Sequence, residues 1–290
     1  MTLAVLTQSG FHLTRGPRAQ LSGGWLALDR PRAPLSRDVA LAVNGGHAHV
    51  VWSDQDGLCH ATLLRGDLRQ PGLLEVGATN RVGPATGASV SYPVAAYVDE
   101  DGTLDLFWTP DRVELRRLTV RQGLGSGYAQ TLPTVGPAGA KVRLRALDLA
   151  PESAKTAWLT CATDRGGIAL ARWDLGQDVH TSWHEVQLPV PHLSGAALVR
   201  IGEVPMLLIA RPDGRILAAD ARTAHENKAV WRQVEVPAAT QGRPVQAIAA
   251  ADGGGRAWLA AAGAGRLWFA PLRLRDGRLM CGEVRDMAMA

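Results

Sequence analysis

Three histidines in the first third of the chain could bind a metal ion. His47 and His49 are two residues apart in a segment that reads as a strand, so their side chains share one face. The Asp56-Gly57 turn predicts a hairpin that returns His60 to the same face. Imidazole nitrogens are common Zn²⁺ ligands, but the sequence places no carboxylate or fourth ligand beside them. We therefore predict no metal and no other cofactor, and we keep these histidines as the metal candidates.

Hydrolysis would need paired carboxylates or an activated nucleophile. Aspartates recur at turns between strands, where Asp is favoured because its side chain hydrogen-bonds nearby backbone; they are Asp54, Asp56, Asp111, Asp164 and Asp213. No nucleophile-elbow, zinc-protease or phosphate-loop motif is present. A sialidase-like site would need an arginine cluster and a tyrosine, and the tyrosines available are Tyr92, Tyr97 and Tyr128. The sequence predicts a protein that is not an enzyme, with a sialidase-like glycoside hydrolase as the least favoured alternative.

The nine tryptophans could stack on sugars or bases, or could pack between sheets. Trp25, Trp183 and Trp231 occupy one position of a repeated strand, which is what packing between neighbouring sheets produces. Trp52 and Trp108 lie at the ends of strands beside a turn. We predict that these last two tryptophans belong to a binding surface.

The elements that would position these residues are short runs, apolar or alternating, bounded by Gly, Pro and Asp. Such runs are typical of strands. They form units of four strands, and the first strands begin near Val39, Val94, Val142, Ala196 and Val245. The interval of about 50 residues is typical of propeller blades. The fourth strands repeat most sharply, with one Trp-to-Pro spacing in Trp25–Pro31, Trp183–Pro189 and Trp231–Pro237.

The two ends of the chain complete this scheme. Leu3–Thr7, Phe11–Thr14 and Trp25–Asp29 match second, third and fourth strands, and Val284–Ala290 could supply the missing first strand. Joining the ends would remove exposed sheet edges. We predict an all-β propeller in a single domain, residues 1–290, with six blades of four antiparallel strands closed by the N- and C-terminal strands. Five or seven blades remain open.

Composition restricts the partners and the location. The net charge is +4, and no basic run is longer than Arg116-Arg117, so we predict no nucleic-acid ligand. The three cysteines, Cys59, Cys161 and Cys281, are too widely spaced for a disulfide framework. The N-terminal apolar run lacks a basic region, and no apolar run could span a bilayer. We expect no membrane association and a cytoplasmic protein, with export by a route without a cleaved signal as the alternative.

The repeat resembles that of the bacterial lectin-type propellers, a family of tandem-repeat sugar-binding proteins. The shared features are an Asp-Gly turn, a strand with Trp and a fourth strand that begins with Trp; here they are Asp56-Gly57, Asp213-Gly214, Trp268, Trp183 and Trp231. The resemblance covers most of the chain as a pattern of strands and turns. It implies a propeller fold and sugar pockets between blades.

The topology of a four-stranded meander predicts where a ligand would bind. The turns between second and third strands and the loops between blades emerge at one end, which we expect to form a rim of mixed charge. Its residues are Asp54, Asp56, Trp52, Trp108, Asp111, Arg112, Asp164, Arg165, Arg211 and Asp213. Such a rim suits a protein partner. The sequence therefore predicts a non-catalytic recognition or scaffold module that binds a protein, with a glycan-binding lectin as the alternative.

Overall fold

The structure, a computed structural model, describes most of the chain in segments. These are residues 2–7, 10–15, 26–27, 39–44, 47–54, 57–65, 74–81, 93–99, 101–109, 115–120, 130–132, 144–153, 156–163, 166–174, 179–180, 183–253 and 256–288. The chain divides into two compact units, Met1–Pro133 and Thr134–Ala290. The single domain of residues 1–290 stays a prediction.

The first unit contains three antiparallel sheets among its described residues. Sheet 1 consists of β1 (Thr2–Thr7), β2 (Gly10–Arg15) and β3 (Leu26–Ala27). Sheet 2 consists of β4 (Val39–Asn44), β5 (His47–Asp54), β6 (Gly57–Arg65) and β7 (Leu74–Arg81). Sheet 3 consists of β8 (Val94–Val98), β9 (Leu104–Trp108), β10 (Leu115–Val120) and β11 (Gln130–Leu132).

The second unit also contains three antiparallel sheets in the residues described. Sheet 4 consists of β12 (Leu144–Pro151), β13 (Thr156–Thr163), β14 (Ile168–Asp174), β15 (Val179–His180) and β16 (His184–Glu185). Sheet 5 consists of β17 (Gly195–Ile201), β18 (Val204–Ala210), β19 (Ile216–Asp220) and β20 (Arg232–Gln233). Sheet 6 consists of β21 (Ala247–Gly253), β22 (Arg256–Gly263), β23 (Arg266–Arg275), β24 (Arg278–Cys281) and β25 (Arg285–Ala288).

The all-β, mostly four-stranded antiparallel fold is confirmed, with one difference between β19 and β20. A short α-helix, α1 (Ala221–His225), lies between these two strands. Asp220 caps its N-terminus, because the carboxylate accepts the backbone N–H of Arg222. A five-residue helix is too short to show a 3.6-residue period, so the sequence pattern could not predict it.

The prediction for the C-terminal strand is wrong. β25 pairs with β23 of its own sheet, with Asp286 opposite Trp268 and Arg285 opposite Phe269, and is therefore not a first strand. The number of blades and the closure of the ring stay predictions. It is the fourth strand of sheet 6, in the register that β20 has on β19 and β16 has on β14. The three strands share a pattern in which two polar residues precede an aliphatic one.

Adjacent sheets in each unit bury their apolar faces against each other. Sheets 2 and 3 share a core that includes Val51, Leu106 and Trp108. Sheets 4 and 5 share a second core, with Leu170 and Leu207, and sheets 5 and 6 a third, with Leu208 and Leu259. A strand that is apolar on alternate residues cannot hide this face alone, so the stacking of sheets follows from the repeat itself.

One carboxylate links the first strands of sheets 4 and 5. Asp148 of β12 accepts the backbone N–H of Leu198 in β17 at 2.7 Å and that of Leu149 at 2.8 Å. Burial raises the pKa of Asp148 to about 7, although both hydrogen bonds act in the opposite direction. Because the pKa in the folded protein exceeds the ordinary value of 3.8, the folded state holds a proton that the unfolded chain releases between these values.

We therefore expect the free energy of unfolding to fall as pH rises from 4 to 7, and the Asp148→Asn variant to lose this dependence. Compared with pH 5, the free energy of unfolding of the variant at pH 8 should gain on the unmodified protein by on the order of 1–3 kcal/mol, because the small solvent-exposed part of Asp148 reduces the effect of its burial. Urea unfolding at pH 5, 6, 7 and 8 measures it. Parallel stability profiles for the two proteins would contradict the assignment.

Candidate functional site

In the second unit, backbone groups just beyond the fourth strands β16 and β20 form hydrogen bonds with the neighbouring sheet at equivalent positions. The N–H of Gln187 donates to Oδ1 of Asn227 at 3.0 Å, and the indole N–H of Trp231 donates to the Gln187 carbonyl at 3.3 Å. One sheet further on, the N–H of Glu235 donates to the Leu279 carbonyl at 3.0 Å, and the N–H of Cys281 donates to the Glu235 carbonyl at 2.8 Å. Each neighbouring sheet contributes these contacts from the segment between its third and fourth strands.

That segment is a helix in sheet 5 and a hairpin in sheet 6, and the difference decides what space remains. Helix α1 places His225 against His184 of sheet 4, with ring centroids 4.1 Å apart, and against the buried Trp158 at 5.4 Å. The position between sheets 4 and 5 is therefore filled by side chains. Beside the β23–β24 hairpin, a shallow pocket remains next to β20.

We call this pocket the outer cleft. Its volume is about 630 Å³, and it is lined by Arg232, Gln233, Glu235, Asp276 and Arg278. Nη1 of Arg232 donates to the Gly277 carbonyl at 2.6 Å, which fixes this guanidinium against the hairpin turn. Nη1 of Arg278 lies 3.6 Å from Oε1 of Glu235. Both side chains of that ion pair are largely exposed, so a ligand can reach them.

Chemically, the outer cleft offers donors and acceptors side by side. Guanidinium N–H groups donate, carboxylate oxygens accept, and the Gln233 amide does both. A molecule with many hydroxyl groups can satisfy such a set, because each hydroxyl both donates and accepts. The cleft has nearly balanced charge, which does not favour a phosphate backbone.

A second set of charged residues lies at the end of the unit where the turns between second and third strands emerge. Asp213 forms ion pairs with Arg211 at 3.1 Å and with Arg215 at 3.3 Å. Asp286 accepts hydrogen bonds from Arg243 at 2.5 Å and Arg266 at 2.9 Å. Hydrogen bonds from Arg266 and then Arg243 hold the pKa of Asp286 below its ordinary value. We call these six residues the arginine stripe.

Only part of the predicted rim falls within the described structure. Arg211 and Asp213 do, and they pair with each other in the arginine stripe. Asp54 is described only as the last residue of β5. Five predicted rim residues lie outside the described residues: Asp56, Asp111, Arg112, Asp164 and Arg165. The rim as a whole stays a prediction.

The expectation that Trp52 and Trp108 serve as binding surfaces is corrected. Trp108 is 1% exposed and Trp52 9% exposed, so both belong to the buried core of the first unit. Trp108 packs in the core that sheets 2 and 3 share, where its large apolar ring is removed from water.

The histidine candidates for a metal gain no support from the described residues. His60 pairs with Val51, two residues from His49, so the backbone register agrees with the predicted shared face. His49 is buried, and the side chains of His47 and His60 lie outside the described residues. Among the described side chains no group of three metal-ligating residues occurs.

In the same part of the chain, no helix is long and apolar enough to cross a membrane.

The sequence matches no protein-family model and no curated protein, whereas the fold matches solved structures. AofleA from Arthrobotrys oligospora is 13% identical with a TM-score of 0.58, over 97% of this chain and 82% of that one. Aleuria aurantia lectin, in complex with Fucα1-6GlcNAc, is 16% identical with a TM-score of 0.58, over 87% and 79%. An exo-β-1,3-galactanase from Phanerochaete chrysosporium, with β-1,3-galactotriose, is 14% identical with a TM-score of 0.56, over 93% and 66%.

At these identities the likeness shows the fold alone, which is the β-propeller-like all-β fold of lectins. One prediction is overturned by it. The sequence predicted a protein that is not an enzyme, and this prediction is contradicted, because a protein with a similar fold is an exo-β-1,3-galactanase. The lack of familiar catalytic motifs was the basis of that prediction, and it does not exclude glycoside hydrolases.

Proposed function

We propose that the protein binds carbohydrate and that the outer cleft holds the sugar. The observation that carries the proposal is the composition of the cleft. Two guanidiniums, two carboxylates and one amide line a pocket of about 630 Å³. This volume lies within the roughly 300–1,000 Å³ typical of small-molecule sites. Neighbouring sugar hydroxyls would accept hydrogen bonds from the guanidiniums of Arg232 and Arg278 and would donate hydrogen bonds to the carboxylates of Glu235 and Asp276.

The fold likeness supports the same class of ligand. The Aleuria lectin is in complex with a fucosylated disaccharide, and the galactanase is in complex with a galactotriose. Both ligands are glycans, whereas no comparison supports the protein partner that the sequence favoured. We therefore place the lectin alternative first. A cytoplasmic location, or export without a cleaved signal, stays a prediction.

Screening the full chain on a glycan array tests the proposal. We expect saturable binding to one class of glycan, inhibited by the free sugar that ends it. Each bound glycan is then incubated with the protein in solution and analysed for shorter products, because the fold is shared with a hydrolase. Failure to bind any glycan on a broad array would overturn the proposal.

A further inference from the structure

The arginine stripe is built from two similar groups, each with one aspartate between two arginines. Asp213 lies between Arg211 and Arg215, and its Oδ1 also accepts the backbone N–H of Arg215 at 3.1 Å. Asp286 lies between Arg243 and Arg266. Each group carries one more cation than anion, so the stripe has an excess of two positive charges.

The two groups are neighbours on the surface. Gly214, between Asp213 and Arg215, has a φ of +86°, and a Cβ there would lie 2.1 Å from the carbonyl oxygen of Arg243. Only glycine allows this approach, which brings the turn of sheet 5 against the loop that leads into sheet 6. Gly263, opposite Arg266 in the β22–β23 pair, makes the same close approach to the Pro244 carbonyl. The β18–β19 turn, the loop that leads into sheet 6 and the β22–β23 turn therefore lie side by side.

The aspartates hold these guanidiniums in place but do not engage all of their N–H donors. Arg215 and Arg266 contact their aspartates through Nε, and their side chains are 59% and 50% exposed. Within the described residues, no hydrogen bond engages the Nη groups of either arginine. A guanidinium edge of this kind binds a carboxylate or sulfate through two parallel hydrogen bonds. The aspartates fix the arginines beforehand, which lowers the entropy lost when a ligand binds.

The stripe begins where the outer cleft ends. The N–H of Val234 donates to the Ile216 carbonyl, so the next residues along these antiparallel segments, Glu235 and Arg215, lie opposite each other. Glu235 lines the cleft and Arg215 belongs to the stripe. A glycan chain that leaves the cleft at Glu235 would therefore pass over the guanidiniums. A globular partner would need no such continuity.

We infer that the arginine stripe binds acidic groups, carboxylate or sulfate, on a glycan whose uncharged part occupies the outer cleft. The second half of this statement rests on the proposed function, whereas the first half does not. The stripe supplies charge-assisted bonds to the acidic groups, and the cleft supplies hydrogen bonds to hydroxyls. Affinity for acidic glycans should fall with salt, because the stripe arginines are exposed and therefore screened.

The test compares binding of three polysaccharides to the full chain: polygalacturonate, dextran sulfate and uncharged dextran. Calorimetric titrations at 50, 150 and 500 mM NaCl give the affinities. Arg215→Gln and Arg266→Gln each remove one guanidinium from a different aspartate group. Arg256→Gln is the matched control, because Arg256 is also exposed on sheet 6 but lies at the opposite end of β22. Circular dichroism and thermal melting confirm that all variants are folded.

We expect the acidic polysaccharides to bind more tightly than dextran, with each stripe variant losing roughly 5-fold in affinity at 150 mM NaCl and the double variant roughly 20-fold. The control should change by less than about 2-fold. Preference for polygalacturonate over dextran sulfate, or the reverse, tells carboxylate from sulfate. Equal losses in stripe and control variants would overturn the inference, because general positive charge would then explain binding.

Two further outcomes separate this inference from the proposed function. If the stripe variants bind all polysaccharides as the unmodified protein does while cleft variants lose binding, the stripe inference fails and the proposed function stands. If the stripe variants lose acidic binding while cleft variants change nothing, the stripe stands and the cleft assignment fails. Poly-glutamate that binds as tightly as the acidic glycans, and loses affinity in the same stripe variants, would overturn the choice of a glycan.

Discussion

Replacing Glu235 or Arg278 with alanine should weaken glycan binding about 10- to 100-fold. Each change removes charge-assisted hydrogen bonds to sugar hydroxyls, which are worth roughly 1.5–3 kcal/mol apiece. The fold should tolerate both changes, because these side chains are 47% and 72% exposed and the hydrogen bonds between sheets use the backbone of Glu235. Titration of the best glycan from the array measures the loss.

Glu226→Ala provides the control for these variants. Glu226 forms an exposed ion pair with Lys228 at 3.1 Å, outside the outer cleft. It therefore matches the chemistry of the Glu235–Arg278 pair without its position, and its removal should leave glycan affinity unchanged. Unaltered binding by the Glu235 and Arg278 variants would show that the sugar binds elsewhere.

Trp108→Ala should destabilise the protein by about 3–5 kcal/mol, the usual cost of deleting a large buried ring. Trp108 is 1% exposed and packs between sheets 2 and 3 with Val51 and Leu106. Equilibrium unfolding in urea, followed by circular dichroism, measures the loss. Trp108→Phe keeps an aromatic ring in the core and should cost clearly less.

The Trp108→Ala variant also decides between two interpretations of this tryptophan. From the sequence, Trp108 belonged to a binding surface, whereas the structure places it in the core. A Trp108→Ala protein of unchanged stability and reduced ligand affinity would restore the first interpretation. We expect the opposite, a less stable protein with glycan affinity intact at temperatures where it is folded.

The repeat in the sequence was sufficient to predict most strands. The first strands β4, β8 and β17 begin within a residue of the predicted positions, because burial of one face demands alternation and turns demand Gly, Asp or Pro. The motif that begins with Trp183 and Trp231 likewise marks two fourth strands. Where a pattern follows from local chain geometry, it can be found in the sequence.

The C-terminal strand shows where such patterns mislead. Val284 stands where the other fourth strands have Trp, so Arg285–Ala288 was not recognised as the same element. The sequence predicted a first strand here, and only the pairing with β23 shows that the segment is a fourth strand. The two polar residues before Met287 were the available signal, since they match Arg232 and Gln233 before Val234.

The outer cleft could not be predicted for a related reason. Arg232, Gln233 and Glu235 belong to the repeated segment Trp231–Pro237, in which the sequence indicates a packing role for Trp231. Arg278, which meets Glu235, is more than forty positions further along the chain. Their proximity depends on the contact between the segment after β20 and the β23–β24 hairpin, and such a contact between sheets has no period in the sequence.

A crystal structure of the full chain with the best glycan from the array tests the central claim most directly. We predict sugar density against Arg232, Glu235 and Arg278, with hydroxyl groups within hydrogen-bond distance of both carboxylate and guanidinium atoms. Density at any other surface, with the outer cleft free of sugar at saturating glycan, would contradict the account.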